Sequence, residues 1–175
     1  MTAELRLRPV TDADEGFLRT VYASTRTEEL APLGWPPEAV AAFCDQQAEA
    51  QHRHYRSHYP DASYDVVLVG GTPAGRLYVD RSPAELRIVD IALLPEFRGD
   101  GVGSRLLAGL LAESDRTGVP VRIHVEQHNP ALHWYERHGF RPIADRGVYW
   151  FLERLPHGAA PSDRLLDGAE EGVRA

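Results

Sequence analysis

Residues 4–9 of the chain, within ELRLRPV, alternate apolar and charged positions, the period of a half-buried strand. The next segment, TDADEGFLRTVYAST, repeats at a helical period. Thr11 or Asp12 stands at its start, acidic residues fill the first turn, and Phe17, Leu18, Val21 and Tyr22 share one face. RTEELAPLGWPP is broken by Pro32, Gly34, Pro36 and Pro37 and reads as a loop. A longer helix is predicted from Pro37 to Ser57, stopped at Tyr59-Pro60. Three β-rich runs follow at 64–69, 74–80 and 85–94, with turns at Gly70-Gly71 and Ser82-Pro83, in the manner of an antiparallel meander. Leu106, Leu107, Leu110 and Leu111 then restore the helical period over 103–117. VPVRIHVE reads as a strand. NPALHWYERHG reads as a short helix ending at Gly139, and FRPIAD and VYWFLERL read as a strand pair turned at Asp145–Gly147. The order β-α-α-β-β-β-α-β-α-β-β describes an α/β fold of the α+β kind, a mixed sheet carrying helices.

Length and composition narrow the picture. At 175 residues and 43% hydrophobic, the chain fits one domain, expected over 1–155. A C-terminal stretch, 156–175, has few large apolar residues and is expected to be disordered. The net charge is −7, and no stretch concentrates Lys and Arg, so a nucleic-acid partner is not expected. The lone Cys44 suits a reducing compartment. With no apolar run of transmembrane length, the expectation is a soluble cytoplasmic protein without a membrane partner. An exposed edge strand near the C-terminus is available for pairing in a homodimer. His54 and His58 share a helical face, but neither the glutamate of H-E-x-x-H nor a third ligand accompanies them, so no metal is expected.

The chemistry concentrates in RGDGVGSRLL. A strand precedes it, a helix follows, and glycine stands at 99, 101 and 103. The loop is not a Walker motif, because no lysine follows Gly103. It is not G-x-G-x-x-G, because Ser104 or Leu106 stands in the last glycine's place. What remains is a turn whose backbone N–H groups and helix dipole suit a pyrophosphate, with Arg98 adding a full charge. Small residues at 99, 101 and 103 are expected because side chains there would block a ligand's approach.

Arg98, Gly101 and Gly103, followed by Asn129, Ala131, Tyr135, Glu136, Gly139 and Phe140, resemble the two signature elements of the GNAT superfamily of N-acetyltransferases. Asn129 and Ala131 lie closer together than in the commoner spacing. The resemblance implies the GNAT-like acyltransferase fold, with acetyl-CoA as cosubstrate. Direct transfer to a primary amine of a small molecule or protein would occur in a ternary complex. The alternative is a non-catalytic acyl-CoA-binding sensor. It further implies that backbone groups of Ile91, Ala92 and Leu93 hold the pantetheine arm. The loop Arg98, Gly99, Asp100, Gly101, Val102, Gly103 and Ser104 would hold the pyrophosphate, with Asn129 and Tyr135 completing the coenzyme site. Tyr135 is the implied acid toward the leaving thiolate, and the Leu93 N–H the oxyanion donor. Glu126 and His124, on one face of the strand after the loop, stand level as the base, with Asp90, on the strand before the loop, close behind. Glu28 and Glu29 for a cationic amine, with Trp35 as a wall, are the acceptor-site candidates.

Overall fold

The computed structural model describes residues 2–159. Strands β1 (Leu5–Pro9), β2 (Ser63–Val69), β3 (Thr72–Arg81), β4 (Leu86–Leu93), β5 (Val121–Glu126), β6 (Arg141–Arg146) and β7 (Tyr149–Arg154) form one seven-stranded sheet. Its order is β1-β2-β3-β4-β5-β7-β6, and every neighbouring pair is antiparallel except β4–β5. The helices are α1 (Glu15–Leu30), α2 (Pro37–His58), α3 (Val102–Thr117) and α4 (Ala131–Arg137). The predicted succession of elements is the observed one, and β6 is the C-terminal edge strand.

Alternation along the strands assigns the two faces. Leu77 and Val79 of β3, Leu86 and Ile88 of β4, and Ile123 and Val125 of β5 point into the main core. There they meet Leu106, Leu107 and Leu110 of α3 and Tyr135 of α4. Burying one such leucine fully is worth roughly 1.5–3 kcal/mol. Arg76 and Tyr78 of β3 point the other way, toward α1 and α2. Those two helices join through a smaller core of Tyr22, Leu30 and Cys44. Burial pushes the Cys44 thiol up, as expected of a packing group.

Two boundaries differ from the sequence reading. Helix α1 does not stop near Thr25 but runs to Leu30. Nothing before Pro32 removes a backbone donor, and the exposed Thr-Glu-Glu turn completes the helical ladder. At the other end, the chain stays packed past residue 155. Pro156 is buried, and the His157 N–H donates to Asp115 of α3 at 2.8 Å. The expectation of a disordered stretch over 160–175 lies outside the described residues.

The Asp115 contact gives a test of the fold. Arg154 and then the His157 N–H hold the Asp115 carboxyl at about 2, below its ordinary value. A depressed carboxyl stabilises the fold above its unfolded-state value, and that contribution disappears as pH falls through the folded one. Asp115→Asn is therefore expected to lower stability at neutral pH. It should also flatten the acid-side loss between roughly pH 4 and 2 in urea unfolding series.

Candidate active site

The centre of the sheet comes apart. Parallel pairing between β4 and β5 covers only Leu86–Ile88 against Val121–Ile123. At the next step β4 carries a bulge: Tyr78 faces Asp90 and Val79 faces Ile88, leaving Val89 as the extra residue. Beyond it β4 runs on to Leu93 and β5 to Glu126 without pairing. Leu94 donates its N–H to the Ala74 carbonyl at 2.8 Å, so the Leu93–Gly75 pair is a non-hydrogen-bonded one. By alternation, Ala92 turns its backbone groups to β3, while Ile91 and Leu93 turn theirs into the gap. The Leu93 carbonyl accepts from Arg98 Nε at 2.8 Å, as this orientation requires.

At the end of the gap lies the glycine turn. Gly99 (φ +88°) and Gly101 (φ +77°) occupy the left-handed region, and Gly101 is the N-cap of α3. The N–H groups of the first turn of α3, from Val102 onward, have no acceptor within the helix and face the turn. Val102 itself is buried, anchoring the helix start in the core. Tyr135 of α4 is 4% exposed, edge-on to Trp134 and Phe140. Its hydroxyl makes no hydrogen bond to a side chain among the described residues. Burial, with the Asp90 charge next, pushes the phenol above its ordinary value, so it stays protonated.

An opened pair of strands, donors at a helix start and a buried phenol thus sit together. The sequence profile of the acetyltransferase (GNAT) family matches residues 18–140. The chain belongs to the GNAT acetyltransferase family. Its fold superposes on PaiA N-acetyltransferase from Thermoplasma acidophilum, solved in complex with coenzyme A. The TM-score is 0.65 at 16% identity, covering 87% of this chain and 99% of that one. An acetyltransferase from Thermus thermophilus gives a TM-score of 0.60 at 23% identity, covering 89% and 99%. A curated relative, the mycothiol acetyltransferase of Brachybacterium faecium, is 27% identical over 155 residues, 81% of this chain. The chain spans about half the length of that relative, 46%.

Within this GNAT chain the expected site residues are not equally placed. Glycine at 99 and 101 is explained by backbone conformation. A Cβ there would meet no protein atom within 4 Å. Gly103 lies in the helix, and a Cβ on it would rest against Trp134 at 3.6 Å. Trp134 also donates to Ser104 Oγ at 3.3 Å, so α4 packs across the start of α3. Asp100 is exposed on the turn. Arg98 reaches back to Leu93 and, at 3.5 Å, to Ser24 of α1. Asn129 Oδ1 accepts from the Ala131 N–H at 2.9 Å in the turn before α4, which leaves its amide NH2 available.

The three base candidates separate on geometry. Asp90 Oδ2 accepts from Arg76 Nη2 at 2.6 Å and from the Tyr55 hydroxyl at 3.3 Å, while Oδ1 has no partner among the described residues. His124 stacks on Phe151 at 4.5 Å and receives Arg87 Nη1 on its Nδ1 at 3.3 Å. A guanidinium only donates, so Nδ1 is the acceptor there and the neutral ring carries its proton on Nε2. Burial, then Arg87 and Arg146, keep His124 below its usual value. Glu126 is exposed at the open end of β5, opposite Tyr149, and forms no ion pair among the described residues. The acceptor candidates divide as well. Glu28 and Glu29 belong to α1 and not to a loop, and Glu29 is held by Arg26 at 2.8 Å. Trp35 is 43% exposed, with its edge on Phe43.

The sequence reading missed Arg76 and Tyr55, which bond Asp90, and Gln51, which accepts from Arg76. An arginine inside the apolar run AGRLYV was the available signal. Among the described residues no group of three His, Cys, Asp or Glu is placed to hold a metal, and no helix is long and apolar enough to cross a membrane.

The two glycines of α3's entry should respond oppositely to alanine. Gly101→Ala is expected to cost roughly 1–2 kcal/mol through its positive φ. Gly103→Ala, at a helical φ with space for the methyl, should be neutral or stabilise by up to about 1 kcal/mol. Denaturant unfolding of the two variants measures both.

Proposed function

We propose that the chain transfers an acetyl group from acetyl-CoA to a primary amine of a small molecule or protein, with both substrates bound at once. The observation that carries this reading is the gap between β4 and β5, which opens at one end on the glycine turn and α3 and has the Tyr135 hydroxyl beside it. A thioester arm fits there because Ile91 and Leu93 offer backbone groups that the sheet does not use. The pyrophosphate would take the N–H groups from Gly101 to Ser104 and a charge from Arg98. The CoA complex of the structural relative supports the same coenzyme.

The chemistry then follows from residues in place. The amine must lose its proton to expose a lone pair. Glu126 is the carboxylate with freedom to take it, through a water, since Asp90 is engaged by Arg76 and Tyr55 and His124 Nδ1 by Arg87. The amine nitrogen bonds to the thioester carbon, the charge on oxygen falls on the Leu93 N–H, and the carbon–sulfur bond breaks. Tyr135 donates its proton to the departing sulfur. Glu28, Trp35 and Tyr149 are exposed and are assigned the acceptor surface in this proposal. The mycothiol acetyltransferase relative makes small-molecule amines the first acceptors to screen.

Calorimetric titration of acetyl-CoA is expected to show saturable binding to the parent chain and none to Gly101→Glu. No binding by the folded parent chain would overturn the coenzyme assignment. Tyr135→Phe should keep coenzyme affinity and lose about 10²-fold in kcat. Because burial and Asp90 raise the Tyr135 phenol, the parent pH–rate profile should show no alkaline fall up to about pH 10. Coenzyme binding without turnover on any amine would favour the acyl-CoA sensor.

A further inference from the structure

A cleft of about 710 Å³ opens between the start of α1 and the second half of α2, with Arg76 and Tyr78 of β3 as its floor. Neither the glycine turn nor the β4–β5 gap contributes to it. Its charges are unevenly satisfied. Glu15 is paired with Arg19 at 2.6 Å and Glu49 with Arg53 at 3.1 Å, leaving Asp12 as the acid on the wall without an ion pair among the described residues.

Two guanidiniums of the lining keep N–H donors without acceptors among the described residues, although Arg76 is ion-paired with Asp90. Arg76 is 6% exposed, and its Nη2 serves both Asp90 and Gln51, at 2.6 and 2.8 Å. Its Nε is buried without a partner, and Nη1 forms no hydrogen bond among the described residues. Of a guanidinium's five N–H groups, three therefore remain unused in a nearly dry position. A donor stranded in this way is costly unless something accepts from it. The Arg56 guanidinium sits over the Tyr64 ring at 3.8 Å and has no carboxylate partner among the described residues. His52 lines the same wall. Burial, then Arg56 and Arg76, hold its imidazole below the usual value, against a smaller opposing pull from Glu15. The two arginines thus bring guanidinium donors to the cleft from separate elements, β3 and α2, in a lining that also holds Arg19 and the acids Asp12, Glu15 and Glu49.

We propose that this cleft is a second binding site, for a small dicarboxylate, with one carboxylate on Arg76 and the other on Arg56 beside His52. Two separated guanidiniums call for two separated anionic groups, and carboxylate geometry matches the guanidinium donors. Arg76 and Tyr55 line the cleft and also hold Asp90, so an occupant lies one residue away from the carboxylate that acts on Tyr135.

Sodium succinate titrated into the full chain at constant ionic strength, read by calorimetry, tests this. Four proteins are compared: the parent, Arg56→Gln, Arg53→Gln and Gly101→Glu. Arg53 neighbours the cleft without lining it. Saturable binding is expected for the parent, weakened at least tenfold in Arg56→Gln and unchanged in the other two. The proposal is overturned by absence of saturable binding to the folded parent at tens of millimolar. Equal weakening by Arg53→Gln would also overturn it, since that reports surface charge alone. Loss in Gly101→Glu would place succinate at the glycine turn, and equal affinity for inorganic phosphate would remove the dicarboxylate assignment. The Gly101→Glu arm keeps this result separate from the acetyl-CoA reading.

Discussion

The ion pair between Arg76 and Asp90 ties two strands and a helix together at the point where the sheet opens. It spans β3 and β4 beside the bulge at Val89, and through Gln51 and Tyr55 it fastens α2 to the sheet. Both charges are largely out of water, which is expensive, and the pair is tolerable only because it is supplemented by hydrogen bonds. Removing one partner of such a pair typically costs about 3–5 kcal/mol. The cost is borne where the sheet changes register, and an unpaired bulge there would otherwise be free to relax into regular pairing. The pair thus helps hold open the gap that the proposed chemistry uses.

Much of this was legible in the sequence, because local rules and the fold agree. Alternation in ELRLRPV, the leucine repeat of α3 and the Gly139 stop each specify their element with local information. The end of α1 was misread for an instructive reason. Threonine and glutamate at 25–29 look loop-like by composition, yet only the proline at 32 interrupts the ladder. The glycine turn was found because positive φ leaves a compositional trace.

What was not legible depends on partners brought together across the chain. Asp90, His124 and Glu126 are equivalent candidates along a sequence, since each is a proton acceptor on a suitable strand. They part company only when Arg76, Tyr55 and Arg87 arrive from other elements and occupy particular oxygen and nitrogen atoms. Arg98 gains partners in the same way. Besides the charge it was expected to offer a phosphate, it bridges the end of β4 and α1, contacts that no sequence pattern announces. A charge can be read from a sequence, but whether its donors are already taken is a property of the folded chain.

The sparse parallel pairing has a mechanical side. Strands β1–β4 make one antiparallel ribbon and β5–β7 another, and only three residue pairs hold the two edges together. The molecule is therefore a sheet with a seam, and the seam is where local opening meets least backbone resistance. In the proposed coenzyme site, a linear ligand lying along Ile91 and Leu93 would act as a surrogate strand and supply rungs that the polypeptide omits. Occupancy would then stabilise the folded domain by mass action. On that reading, substrate binding and the completion of the sheet are a single event.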